Sequence, residues 1–167
     1  PGDGKVTLYW DRSAESTQDK YMGNITNGAD LYDFEGYKIY RATDFEFNDA
    51  YNITDGDGNP TFLEPYVQNG IRAQWDLVDG KSGWHPVDLN GIKFYLGDDT
   101  GLTHSYVDHN VVNGQRYYYA VVSYDYGGDL SNNIIPSDSP MKLRVNPLTG
   151  AVSLGPNVVE VVPSPPS

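Results

Sequence analysis

The segment that most constrains this chain is residues 115–126, QRYYYAVVSYDY. Tyr117, Tyr119, Val121 and Ser123 fall on one side of an extended backbone. Tyr118, Ala120, Val122 and Tyr124 fall on the other. Successive side chains of a strand point to opposite faces, so this strand offers apolar surface both ways. Such a strand belongs in the interior of a sheet covered on both sides. Two further segments alternate. Residues 5–11 place Val6, Leu8 and Trp10 on one face, and residues 34–42 place Tyr37, Ile39 and Arg41 opposite Lys38 and Tyr40. No stretch of helical length carries an apolar stripe. With 18 Gly and 11 Pro among 167 residues, the pattern predicts an all-β chain of short strands and many turns.

Between these anchors lie turn-rich stretches. Residues 12–33 and 127–140 read as long polar loops. Residues 43–101 hold turn clusters at Asp55-Gly56-Asp57-Gly58-Asn59-Pro60, Asp79-Gly80 and Gly97-Asp98-Asp99. Residues 71–78 and 91–96 are the candidate strands of a satellite hairpin. Pro65 limits any strand over residues 62–67. Short strands are expected at residues 103–108, 141–145 and 158–162, and the tail from Pro163 to Ser167 has linker composition.

Four segments together resemble the fibronectin type III family. They are the first strand ending at Trp10, the run Gly36-Tyr37-Lys38-Ile39-Tyr40-Arg41 as strand C, Tyr106-Val107-Asp108 followed by Asn113-Gly114 and residues 115–121 as strands E and F, and Ser139-Pro140 leading into residues 141–145 as strand G. The resemblance implies a fibronectin type III or immunoglobulin-like sandwich over residues 1–147. A long insertion between strands C and E would span about residues 44–101, as a satellite hairpin or subdomain. Residues 148–167 would form a C-terminal extension and linker. It also implies that Trp10 fills the space between the sheets and that Tyr117 is a corner tyrosine whose hydroxyl holds a backbone group. The style further resembles modules of large exported proteins in Bacteroidetes-like bacteria. That implies an extracellular or cell-surface location, and a structural or adhesive role beside neighbouring domains or copies of itself.

The formal net charge is -12. A phosphate backbone would be repelled, so nucleic acid is excluded as a partner. No apolar run is long enough to span a bilayer as a helix, and the absence of cysteine excludes disulfides and thiolate sites. Cations, calcium above all, suit clustered carboxylates. One candidate set is Asp55, Asp57 and Asn59 with Glu64. Oxygens at alternate positions can wrap a cation, but the same residues also make a plain turn. A second candidate lies where the long loops of the sandwich would meet at one pole, bringing Asp30 and Asp33 towards Asp125 and Asp129. Solvated acidic loops are the other reading. Trp75 and Trp84 are candidates for stacking on a sugar ring, or for the small core of the insertion. The former would make the chain a carbohydrate-binding accessory domain; the latter would leave it a structural module or spacer. His85, His104 and His109 show no ligand spacing and are expected at the surface. No nucleophile elbow or phosphate loop is present, so a non-enzymatic role is expected.

The carboxylate sites predict a higher melting temperature in millimolar calcium than in chelator, because a cation bound only by the folded chain stabilises it. An unchanged midpoint in a thermal melt removes both.

Overall fold

In the computed structural model, residues 1–16, 34–89, 91–127, 136–139, 141, 143–145, 147–149, 152–154 and 157–166 are described. In chain order the strands are β1 (Val6–Tyr9), β2 (Phe34–Ala42), β3 (Ile53–Thr54), β4 (Pro60–Phe62), β5 (Val67–Gln68), β6 (Ile71–Arg72) and β7 (Gln74–Asp76). There follow β8 (Trp84–Leu89), β9 (Ile92–Tyr95), β10 (Ser105–Asp108), β11 (Tyr117–Asp125), β12 (Leu143–Val145), β13 (Val152–Leu154) and β14 (Val158–Val161). Single-turn 3-10 helices occupy Ser13–Ser16 and Asn48–Ala50.

The apolar alternation of β11 places it inside a four-stranded sheet ordered β14-β11-β2-β7. Its pairing with β2 is antiparallel and runs from Tyr118 opposite Ala42 to Asp125 opposite Phe34. A second sheet, β1-β10, aligns Val6 with Asp108 and Tyr9 with Ser105. The two layers enclose a core of Val6, Leu8, Ile39, Ala73, Tyr117 and Tyr119, with Trp10, Trp75 and Tyr106 packed against it. The chain is thus all-β, with antiparallel sheets packed face to face. Trp10 sits between the layers as expected, 5.8 Å from the Tyr37 ring and 5.7 Å from Trp75. The Tyr117 hydroxyl accepts the Val112 amide at 2.9 Å, the backbone anchor expected of a corner tyrosine.

The other face of the four-stranded sheet is covered too. Tyr40, Ala42, Tyr118, Ala120, Val122 and Val158 pack with Phe47 and Ala50, and with the half-buried Phe45, Leu63, Met141 and Leu154. The residues at 44–101 therefore do not stand apart as a satellite. They contribute β7 to the main sheet, Phe47, Ala50 and Leu63 to one core, and Ala73 and Trp75 to the other. Two strand expectations change with them. β7 pairs with β2, whereas β9 pairs with β8. The register of β8–β9 is irregular between Trp84 and Asp88, around Pro86, which has no N–H to give.

The edge beside β11 also differs from expectation. The first half of β11 pairs with β14, Tyr117 opposite Val161. Its second half meets residues 137–139, where the Asp125 amide donates to Ser137 O and the Ser139 amide to Ser123 O. Between those segments β12 and β13 form a separate hairpin. The place expected for residues 141–145 is thus shared by 137–139 and β14. Residues 158–161, expected in a peripheral extension, complete the main sheet. The hydrophobic Val158 supplies the reason, being buried in the core beneath it.

Close packing at β2 gives a direct test. A Cβ on Gly36 would lie 2.1 Å from Trp75 O and 2.7 Å from the Tyr124 hydroxyl oxygen. Gly36→Ala is expected to destabilise the fold by about 1–3 kcal/mol or more in urea denaturation, since overpacking forces backbone to move.

Candidate functional site

The β8–β9 hairpin carries one of the large exposed aromatic side chains of the described residues, Trp84. It turns at Gly91, whose φ of 82° suits a residue without a side chain, and the Gly91 amide donates to Asp88 Oδ2 at 3.0 Å. The base is closed by paired bonds between its two arms, Gly83 N–H to Gly97 O and Leu96 N–H to Gly83 O. Gln74 adds a side-chain bond from Nε2 to Tyr95 O at 2.8 Å. Trp84 lies opposite Tyr95 across the hairpin and keeps 61% of its surface exposed. The two rings meet edge to face at 5.0 Å. The Arg72 guanidinium sits 4.3 Å from the Tyr95 ring centre, and the Tyr95 hydroxyl donates to Asp98 Oδ1. That bond, with some burial, raises the Tyr95 pKa. The result is a largely exposed indole on a braced strand, with a cation and a carboxylate on the neighbouring tyrosine. Flat apolar rings flanked by polar groups suit the face of a sugar ring or an aromatic or apolar side chain.

The other stacking candidate is placed differently. Trp75 is half-buried between the sheets, 5.3 Å from the Tyr106 ring, and belongs to the core. Only Trp84 of the pair faces outward.

The Asp55 loop is organised as a turn. Asp55 Oδ1 accepts the amides of Asp57 and Asn59, each at 2.9 Å, and its carbonyl accepts the Gly58 amide at 3.0 Å. Glu64 donates its amide to Ala50 O at 2.8 Å. Among the described residues no group of three His, Cys, Asp or Glu side chains could hold a metal ion. At the loop pole, Asp125 accepts both the amide and the hydroxyl of Ser137 at 2.8 Å. Asp30, Asp33 and Asp129 lie outside the described residues.

Histidine placement corrects one expectation. His85 is fully buried, its Nδ1 accepting the Val87 amide at 3.1 Å and its ring 5.1 Å from Tyr126. His104 is half-buried and pairs with Glu15 at 2.8 Å. It lines a cleft of about 550 Å³ with Arg12, Phe34, Leu77 and Leu102. Beside it, Leu8, Trp10, Tyr37, Tyr119 and Val121 line a second cleft of about 430 Å³.

Buried charges are what sequence reading missed. Asp76 is fully enclosed because the amides of Asp98, Asp99 and Thr100 converge on its carboxylate at 2.9–3.2 Å. Lys38 is buried and pairs with the partly exposed Asp138 at 2.8 Å. Glu35 is buried beside Asp79, and its Oε1 has no hydrogen-bond partner. Burial, then the Asp79 and Asp76 charges, push its carboxyl up to about 9. A charged residue inside an apolar alternation, as at Glu35 and Lys38, was the available signal.

Neither a known family, nor a curated protein, nor a solved structure matches this chain.

The Glu35 carboxyl gives a pH prediction. At neutral pH it holds its proton in the folded chain and loses it on unfolding. Both states are protonated below pH 4.5, so its contribution there is constant; stability then falls as pH rises from 4.5 towards about 9. Glu35→Gln is expected to flatten that fall in urea midpoints measured across the range. A variant whose profile parallels the parent's contradicts the assignment.

Proposed function

We propose that the chain is a non-catalytic adhesive module of an extracellular or cell-surface assembly, presenting the Trp84 platform on a fibronectin type III-like sandwich. The single observation carrying this reading is the exposed Trp84 indole braced against Tyr95. An exposed tryptophan costs solubility unless something covers it, and tryptophan is enriched among residues that dominate binding energy. The family likeness is supported by the order β7-β2-β11-β14 facing β1-β10, in which three of the four resembling segments take their expected places. A rigid sandwich carrying a hairpin with one face exposed is an arrangement by which such scaffolds offer binding surfaces. Neighbouring domains or further copies of the chain are the partners of the sandwich body, and nucleic acid is disfavoured by the charge of -12.

A second reading, a carbohydrate-binding accessory domain of a secreted enzyme, is favoured by the composition of the platform itself. An indole face with Arg72 and Asp98 near its partner ring offers both stacking and hydrogen bonding to a saccharide. A glycan array, followed by titration calorimetry on any hit, separates the two. A saccharide bound by the parent and weakened by Trp84→Ala supports the second reading. Retention on extracellular protein partners, equally weakened by Trp84→Ala, supports the first. The expected cost of that substitution is about 2 kcal/mol for an aromatic hot spot, roughly 30-fold in Kd. Binding of either kind that is unaffected by Trp84→Ala overturns the platform as the adhesive face.

A further inference from the structure

We propose that Lys38 and Asp138 become joined by an isopeptide bond that the folded chain forms on itself. The Lys38 Nζ lies 2.8 Å from Asp138 Oδ1, and the lysine side chain is only 7% exposed. Three aromatic rings surround the amine. Its Nζ is 4.0 Å from the centre of Phe94, 5.0 Å from Tyr124 and 5.7 Å from Tyr40. Asp138 Oδ2 accepts the Tyr40 hydroxyl. One carboxyl thus has the amine at one oxygen and a phenol at the other.

The strand arrangement explains why these two residues meet. Lys38 in β2 is aligned with Val122 of β11, and Asp138 bridges Tyr124 from the opposite side of β11. Two strand spacings, each ~4.8 Å, separate β2 from the 137–139 segment. A lysine stem can lie across the intervening strand where a shorter side chain could not. Sheet pairing fixes both ends, so the reaction would be intramolecular between positioned groups, and such groups react far faster than free ones.

The environment also sets the protonation. Burial lowers the Lys38 pKa, opposed by the Asp138 charge. In a poorly solvated site, passing one proton from the ammonium to Asp138 Oδ1 removes both charges. The neutral amine then carries the lone pair a nucleophile needs. That pair attacks Asp138 Cγ and forms the C–N bond, while the C=O electron pair moves to Oδ2. The Tyr40 hydroxyl donates to this developing oxyanion. Transfer of a second Nζ proton to Oδ1 lets it depart as water when the Oδ2 pair re-forms the carbonyl. An ammonium and a carboxylate have become one secondary amide and one water, with no oxidant or cofactor. The Asp138 side chain keeps 30% of its surface in solvent, which gives that water a way out. The product would tie β2 to the strand segment beyond β11.

The test is the intact mass of the purified, folded chain, with peptide mapping after proteolysis. The expected mass is lower than the sequence mass by one water, with a branched peptide pair containing Lys38 and Asp138. Lys38→Arg and Asp138→Ala are each expected at their full sequence masses. Tyr40→Phe should show a larger unlinked fraction than the parent at early times after refolding; equal rates overturn the role given to Tyr40. A folded parent at its full sequence mass after prolonged incubation overturns the proposal. So does a water deficit that maps to an Asp-Gly succinimide site, such as Asp55-Gly56 or Asp79-Gly80, or that persists in Lys38→Arg. Should both variants fail to fold, the parent's peptide map alone decides: the joined peptides are present or they are not.

Discussion

The two layers are tied together through one buried carboxylate. Asp108 closes β10 and is fully enclosed. Its Oδ2 accepts Arg41 Nη1 at 2.9 Å and the Tyr119 hydroxyl at 2.7 Å. Its Oδ1 accepts the Tyr66 hydroxyl at 2.8 Å and the Asn110 amide at 2.9 Å. Arg41 belongs to β2 and Tyr119 to β11, so a residue of the small sheet is held by two strands of the large one. The arginine is itself packed 4.0 Å above Tyr66 and 5.1 Å above Tyr117. Burying a carboxylate is costly unless its charge is paired and its oxygens are hydrogen-bonded, and here both conditions are met. The same contact keeps the phenols of Tyr66 and Tyr119 un-ionised, since burial and the adjacent charge raise both pKa values. A one-residue slip of β2 or β11 would take Arg41 or Tyr119 away from the buried Asp108, so the network favours one register as well as adding stability.

Burial of the large sheet on both faces follows from the sequence of β11. One face needs the β1–β10 layer and the other needs a cover, which the residues between β2 and β10 and those around Met141 and Leu154 supply. The long connections are thereby explained as packing material and not as free appendages. The β8–β9 hairpin is packed on one face, with His85 and Val87 buried, while Gln74 anchors its base and Trp84 stays outside. The acidic surface coexists with this arrangement because the enclosed carboxylates each have a local remedy. Amides surround Asp76, a guanidinium and phenols surround Asp108, and Glu35 retains its proton.

Alternation made the central strands legible. The apolar pattern around Ile39 and Tyr119 has a period no helix shares, and Trp10 and Tyr117 occupy the positions that the family resemblance implied. The 44–101 stretch was less legible because its strands are two to six residues long, too short for a period to register. β7 joins the main sheet through three residues, and nothing local distinguishes Gln74 from the hairpin that follows it. The outward face of Trp84 and the inward face of Trp75 could not be told apart either, since both indoles stand among polar neighbours. The split edge beside β11 was hidden for a different reason. Pairing of residues 137–139 and 158–161 with the same strand is a long-range choice, decided by Val158 finding the core.

The account depends on Asp108 holding the sheets in register, and urea denaturation of Asp108→Ala measures that most directly. Removing the carboxylate strands Arg41 and two phenols, and a loss of about 3–5 kcal/mol is expected for a broken buried pair. A midpoint and slope within error of the parent's would contradict it, and would mean that aromatic packing alone sets the register.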